Sequence, residues 1–121
     1  MIVAGFGFRS AAGLEALRAA LTLAQHGQPP VTMLAAPGDK TALVEQLGRA
    51  AGLPVTAVTA EALEAIETPT RSPQSLRNRH TGSVAEAAAL AAAGPGARLL
   101  GLRHISPDRM ATCAIAEGSS Q

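Results

Sequence analysis

Short apolar runs of strand length alternate with stretches of helical period along this chain, and Gly or Pro punctuates each exchange. Ile2–Phe6, Val31–Ala36 and Val55–Val58 read as strands. Ala11–Gln25 repeats Leu14, Leu17, Leu21 and Ala24 at helical spacing, and Thr41–Ala51 repeats Leu43, Val44 and Leu47. Thr59 starts a short third helix running to about Ile66. Such alternation predicts an α/β domain of three layers, α/β/α, because crossover helices join strands that run parallel and cover both faces of their sheet. With 121 residues the chain fits one domain, placed at 1–117, with a flexible tail at 118–121.

The C-terminal part departs from the crossover rule. Ala97–Arg103 and Met110–Ala116 read as strands separated only by the link around HISPD. So short a link predicts an antiparallel hairpin at the edge of a mostly parallel sheet of about five strands. Before it, SVAE at 83–86 matches a capping box, with Ser83 capping a helix to Ala93 and Glu86 reaching back to the cap. Residues 67–82, ETPTRSPQSLRNRHTG, carry no useful periodicity and form a connection of unusual length.

The turn GFGFRS at residues 5–10 contains the only two aromatic residues of the chain. Gly5 and Gly7 fit the start of a dinucleotide fingerprint, yet Ser10 stands where the third glycine belongs and VTMLAA lacks the expected acid. No G-K-[ST] follows, so it is not a P-loop. What survives is general physics. Glycines permit close approach to backbone, a helix start capped by Ser10 offers free N–H groups, and Arg9 supplies a planar fork for a carboxylate or phosphate. The plain alternative is a tight turn with a solvated Arg9.

Charge is unevenly placed behind a net of +1. Residues 1–69 hold four cations against six acids, whereas 70–110 hold six arginines against Glu86 and Asp108. Arg71, Arg77, Arg79 and His80 crowd the long connection, and Thr81, Gly82 and Ser83 lead into the capped helix. Either this is a solvated segment or it forms a rim for an anionic ligand. Asp39 and Lys40 follow the second strand, on the sheet edge where ligands of parallel sheets bind. Nucleic acid fits poorly, because no aromatics interleave with the basic residues. The three histidines lack ligand spacing, so no metal and no cofactor is implied, and a Ser–His–Asp triad lacks a G-x-S-x-G elbow. Cys113 is alone and reads as a small core residue. No apolar stretch approaches the roughly 20 residues that span a bilayer, and no leader is evident, so a cytoplasmic protein without membrane contact is expected.

The order of these pieces over about residues 2–116 resembles the CobE family, homologous to the C-terminal domain of CbiG. G-x-G-x-R at Gly5, Gly7 and Arg9, the D-K turn at Asp39-Lys40, TAEALEAIETP and TGSVAEAAALAAAG carry the resemblance. It implies a role in cobalamin biosynthesis. CbiG opens the lactone of a cobalt-precorrin and releases acetaldehyde; the short stand-alone form implies instead binding or handling of a precorrin or corrinoid in the aerobic pathway, with other pathway enzymes as partners. On the binding reading, Gly5, Gly7, Phe8, Arg9, Ser10, Asp39, Lys40, Arg77, Arg79, His80, Thr81, Gly82 and Ser83 form the site, with Phe6 or Phe8 as part of an apolar floor. On the hydrolase reading, Asp39, His80 or Glu86 assists water.

Overall fold

The computed structural model describes residues 1–73, 76–77 and 82–119. Strands β1 (Ile2–Phe8), β2 (Met33–Pro37), β3 (Val55–Val58), β4 (Arg98–Leu99), β5 (His104–Ile105) and β6 (Ala111–Glu117) form one sheet. Helices α1 (Leu14–Gln25), α2 (Ala42–Ala51), α3 (Ala60–Ala65) and α4 (Val84–Ala93) cover it. The order is β3-β2-β1-β6-β4, with β5 also on β6. β1, β2 and β3 pair parallel, and β6 runs antiparallel to β1, β4 and β5. The α/β class and the antiparallel edge therefore stand as expected.

Strand alternation sorts β1 between two cores. Ile2, Ala4 and Phe6 pack with Leu17 of α1 and with Val44 and Leu47 of α2. Val3 faces the other way, onto Leu63 of α3 and Ala87 and Ala88 of α4. Three layers result. α4 itself is made almost wholly of alanine, so it lies very close to the sheet.

That closeness explains Gly5. A Cβ there would lie 2.3 Å from the Ala85 carbonyl oxygen and 2.4 Å from the Ala89 nitrogen. Both are backbone atoms of α4. The glycine serves helix–sheet packing, and the expectation that Gly5 exposes backbone to a ligand is corrected. Phe6 is fully buried on the opposite face and cannot floor a site either.

Three local expectations also change. β1 continues to Phe8 because Gly7 and Phe8 pair with Thr112 and Ala111, so GFGF is strand and the turn begins at Arg9. The Arg9 N–H then donates to the Met110 carbonyl (2.9 Å), holding the chain extended, and α1 starts only at Leu14 with Gly13 at its cap. Ser10 caps nothing. Lastly, the strand expected over 97–103 is broken. Four residues, 100–103, stand opposite only two of β6, since Leu99 pairs with Ala116 and His104 with Cys113. This bulge turns the Arg103 N–H out of the ladder toward Glu86.

Candidate binding groove

Chain direction places the candidate site. β1 leads through α1 to β2 on one face, whereas β3 leads through α3 and α4 to β4 on the other. The connections diverge beside β1, and a crevice opens beyond its carboxyl end, as the topology of open α/β sheets dictates. A groove of about 720 Å³ lies there. Its walls come from the end of β1, the turn after β2, the start of α4 and the β5–β6 hairpin.

Gly7, Phe8, Arg9, Ser10, Asp39 and Lys40 meet in this groove, so residues 32 positions apart share one rim. Lys40 sits in a 3-10 turn, Gly38–Lys40, and its ammonium donates to the Phe8 carbonyl at 2.7 Å while lying 5.0 Å from the Phe8 ring centroid. That contact anchors the turn over the end of β1. Asp39 lines the same wall, and Thr41 holds the cap position of α2.

Of the other expected site residues, those described go elsewhere. Arg77 is exposed and does not line the groove. Gly82 is buried beneath the crossing segment 68–71, where a Cβ would lie 2.6 Å from the Thr68 hydroxyl and the Thr70 carbonyl oxygen. Ser83 is buried and caps α4, its hydroxyl accepting from the Glu86 N–H at 3.3 Å. Arg79, His80 and Thr81 lie outside the described residues.

Glu86 departs most from expectation. Its carboxylate is fully buried, and it accepts from the Thr70 N–H (3.0 Å), the Thr70 hydroxyl (2.9 Å) and the Arg103 N–H (2.9 Å). Those donors, rather than the cap, hold the side chain. It ties the start of the long connection and the 100–103 bulge to the first turn of α4. A Ser72 N–H to Gly82 carbonyl bond of 2.6 Å closes the base of that connection. With every oxygen engaged and no solvent contact, Glu86 is a structural clamp and is poorly placed to activate water.

Ser72, Arg103, Arg109 and Thr112 also line the groove and were not singled out from the sequence. Arg103 lies beside β5 and Arg109 in the hairpin that follows it. β6 enters the sheet at the edge where β1 and β2 leave it, so the hairpin tip joins the ends of the parallel strands. The SPD turn signal could have located that tip; its place in the sheet is a tertiary fact. Among the lining residues described, Arg9, Lys40, Arg103 and Arg109 face the single acid Asp39. Phe8, Val84, Ile105 and Met110 supply apolar surface between them. No group of three or more His, Cys, Asp or Glu residues among those described could hold a metal ion.

The profile of the family "Cobalamin synthesis G C-terminus" matches residues 2–116. The chain belongs to the CbiG C-terminal family. Its fold is shared with CobE, a protein from the cobalamin biosynthetic pathway, at 31% identity and a TM-score of 0.85, covering 100% of this chain and 92% of CobE. The cobalamin biosynthesis protein ChiG from Agrobacterium tumefaciens is 37% identical with a TM-score of 0.76, covering 99% and 100%. A protein described as a cobalamin biosynthesis protein G homologue, from Sulfolobus solfataricus, shares the fold at 20% identity and a TM-score of 0.74, and this chain spans 37% of it. A search of curated proteins found no matching relative. No helix among the described residues of this chain is long and apolar enough to cross a membrane.

Proposed function

We propose that the groove binds a polycarboxylate precorrin or corrinoid intermediate of cobalamin biosynthesis, and that binding rather than catalysis is its task. The reading is carried by the convergence of Arg9, Lys40, Arg103 and Arg109 on one groove that also offers apolar wall. A precorrin presents the complementary surface, a broad apolar macrocycle fringed by acetate and propionate groups. Guanidinium groups pair with such carboxylates through two parallel hydrogen bonds. The volume lies within the roughly 300–1,000 Å³ of small-molecule sites. Family membership places the chain among cobalamin biosynthesis proteins, which narrows polyanionic metabolites to this class.

Titration of the protein with hydrogenobyrinic acid, followed by absorbance, tests the proposal. Saturable spectral change that weakens with added salt is expected, and a fully amidated corrinoid should bind far less well. Equal binding of the acid and the amide would remove the electrostatic argument. Lactone hydrolysis is the alternative, with Asp39 as the one carboxylate on the described groove wall. Release of acetaldehyde from a lactone-bearing precorrin, lost in Asp39→Asn, would establish it.

A further inference from the structure

We infer that Arg109, supported by Arg103, is the specificity-determining residue of the groove, selecting ligands that carry free carboxylates at the hairpin side. This rests on the reading of the groove as a polycarboxylate site and goes beyond it by naming what discriminates. Arg109 has a φ of 62°, and among the described residues it is the one non-glycine with positive φ. Gly27, Gly52, Gly94 and Gly96 occupy such backbone elsewhere in the chain. Left-handed backbone disfavours any residue with a Cβ, so the fold by itself asks for glycine at 109. An arginine stands there instead, and strained backbone of this kind collects at binding sites.

Among the described residues, no hydrogen bond or ion pair of the turn uses the Arg109 side chain. The Ser106 N–H donates to the Ala111 carbonyl and the Arg109 N–H to the Ser106 carbonyl, each at 2.8 Å. The Asp108 carboxylate accepts from the Ser106 hydroxyl (2.6 Å) and the Met110 N–H (3.0 Å). The Ala111 N–H donates to the Ser106 hydroxyl oxygen at 3.1 Å. Backbone, Ser106 and Asp108 therefore build the hairpin. The guanidinium is exposed at the groove, and among the described residues it has neither an ion pair nor a hydrogen bond.

Arg103 repeats the arrangement. Its N–H is held by buried Glu86 at 2.9 Å, while its side chain lines the groove without a side-chain partner among the described residues. Arg9 does so again, with its N–H on the Met110 carbonyl. In all three the backbone is pinned and the charged head is left for something else. Pinning lowers the ordering cost of binding. The matching ligand is a polyacid whose carboxylates reach separate arginines around an apolar body.

Arg109→Gly separates the role in binding from one in folding. The thermal midpoint is expected to stay level or rise, because glycine suits the turn. The dissociation constant for hydrogenobyrinic acid should increase about tenfold or more, the worth of a lost charge-assisted pair. Discrimination against a fully amidated corrinoid should fall by the same factor, and Arg109→Lys should lie between. Arg103→Ala should weaken the acid by a similar factor. An Arg109→Gly protein that binds the acid as tightly as wild type overturns this inference while leaving the groove reading intact. A lowered midpoint overturns it too, by showing that the side chain supports the fold. If wild type fails to bind the acid at all, the groove reading and this inference fall together.

Discussion

Replacing Gly5 by alanine tests the central packing claim, that α4 lies against β1 with no room for a single methyl group. The new Cβ would sit 2.3 Å from the Ala85 carbonyl oxygen, 2.4 Å from the Ala89 nitrogen and 2.9 Å from the Ala89 Cα. All three neighbours are backbone, so no rotamer change relieves the overlap. Ordinary van der Waals contact begins near 3.4 Å, so the helix must retreat by about 1 Å along its middle. That retreat loosens Ala85, Ala87, Ala88 and Ala89, all fully buried. Overpacking a core costs about 1–3 kcal/mol, and a clash with backbone belongs at or above the top of that range. Alanine regains about 0.5–1 kcal/mol of strand preference over glycine, which does not offset it. A net loss of about 3 kcal/mol is expected. At about 2.1 cal/mol/K per residue the unfolding entropy is about 0.25 kcal/mol/K, so the midpoint should drop by about 12 °C. Urea unfolding and thermal melts followed by circular dichroism measure both. Gly38→Ala is the control, since its Cβ would meet only the Val58 carbonyl oxygen, at 3.6 Å. If Gly5→Ala unfolds within 1 kcal/mol of wild type, as the control should, the close approach of α4 is not a constraint.

Other perturbations reach different links. Glu86→Ala orphans three donors, on Thr70 and Arg103, and should cost about 3 kcal/mol or more in urea unfolding, with Glu86→Gln losing less. Equal stability of the two variants would contradict the clamp. Asp108 has its carboxyl held below the usual value of 3.8 by the Ser106 hydroxyl and then by the Met110 N–H. Its contribution is therefore full above the unfolded-state value and is lost as pH falls through the lower folded-state value. The stability gap between wild type and Asp108→Asn should shrink from pH 5 to pH 2, and a constant gap would refute the assignment. Cys113 is fully buried, and burial pushes its thiol up, so it stays protonated and shielded. Iodoacetamide at pH 8 should label it only after denaturant is added; labelling at the same rate in native protein would place it at the surface.

The groove was legible in the sequence where the signal was local and one strand end decided the position. Arg9, Asp39 and Lys40 follow β1 and β2, and parallel strands bring their ends to one edge. Gly5 misled for a physical reason. A bare backbone position announces that something comes close, and nothing in GFGF distinguishes a ligand from the alanine face of α4. Ser83 and Glu86 show a similar limit. The capping motif correctly marked the start of α4, but the Glu86 carboxylate found better partners in Thr70 and Arg103, one 16 residues before it and one 17 after. Arg103 and Arg109 escaped notice because their importance depends on β6 running against β1, which sets the hairpin tip beside Arg9.

Periodicity, caps and breakers were enough to establish that this chain alternates strands with helices, ends in an antiparallel pair and belongs to the α/β class. Those are short-range properties, written by steric preference and by the spacing of apolar side chains over a few residues. The tertiary structure alone decided which glycine serves packing, where the buried carboxylate goes and which arginines share a groove. Each of those depends on atoms far apart in the chain, whose meeting is fixed by how closely one helix can lie on a sheet and by the direction of a single strand.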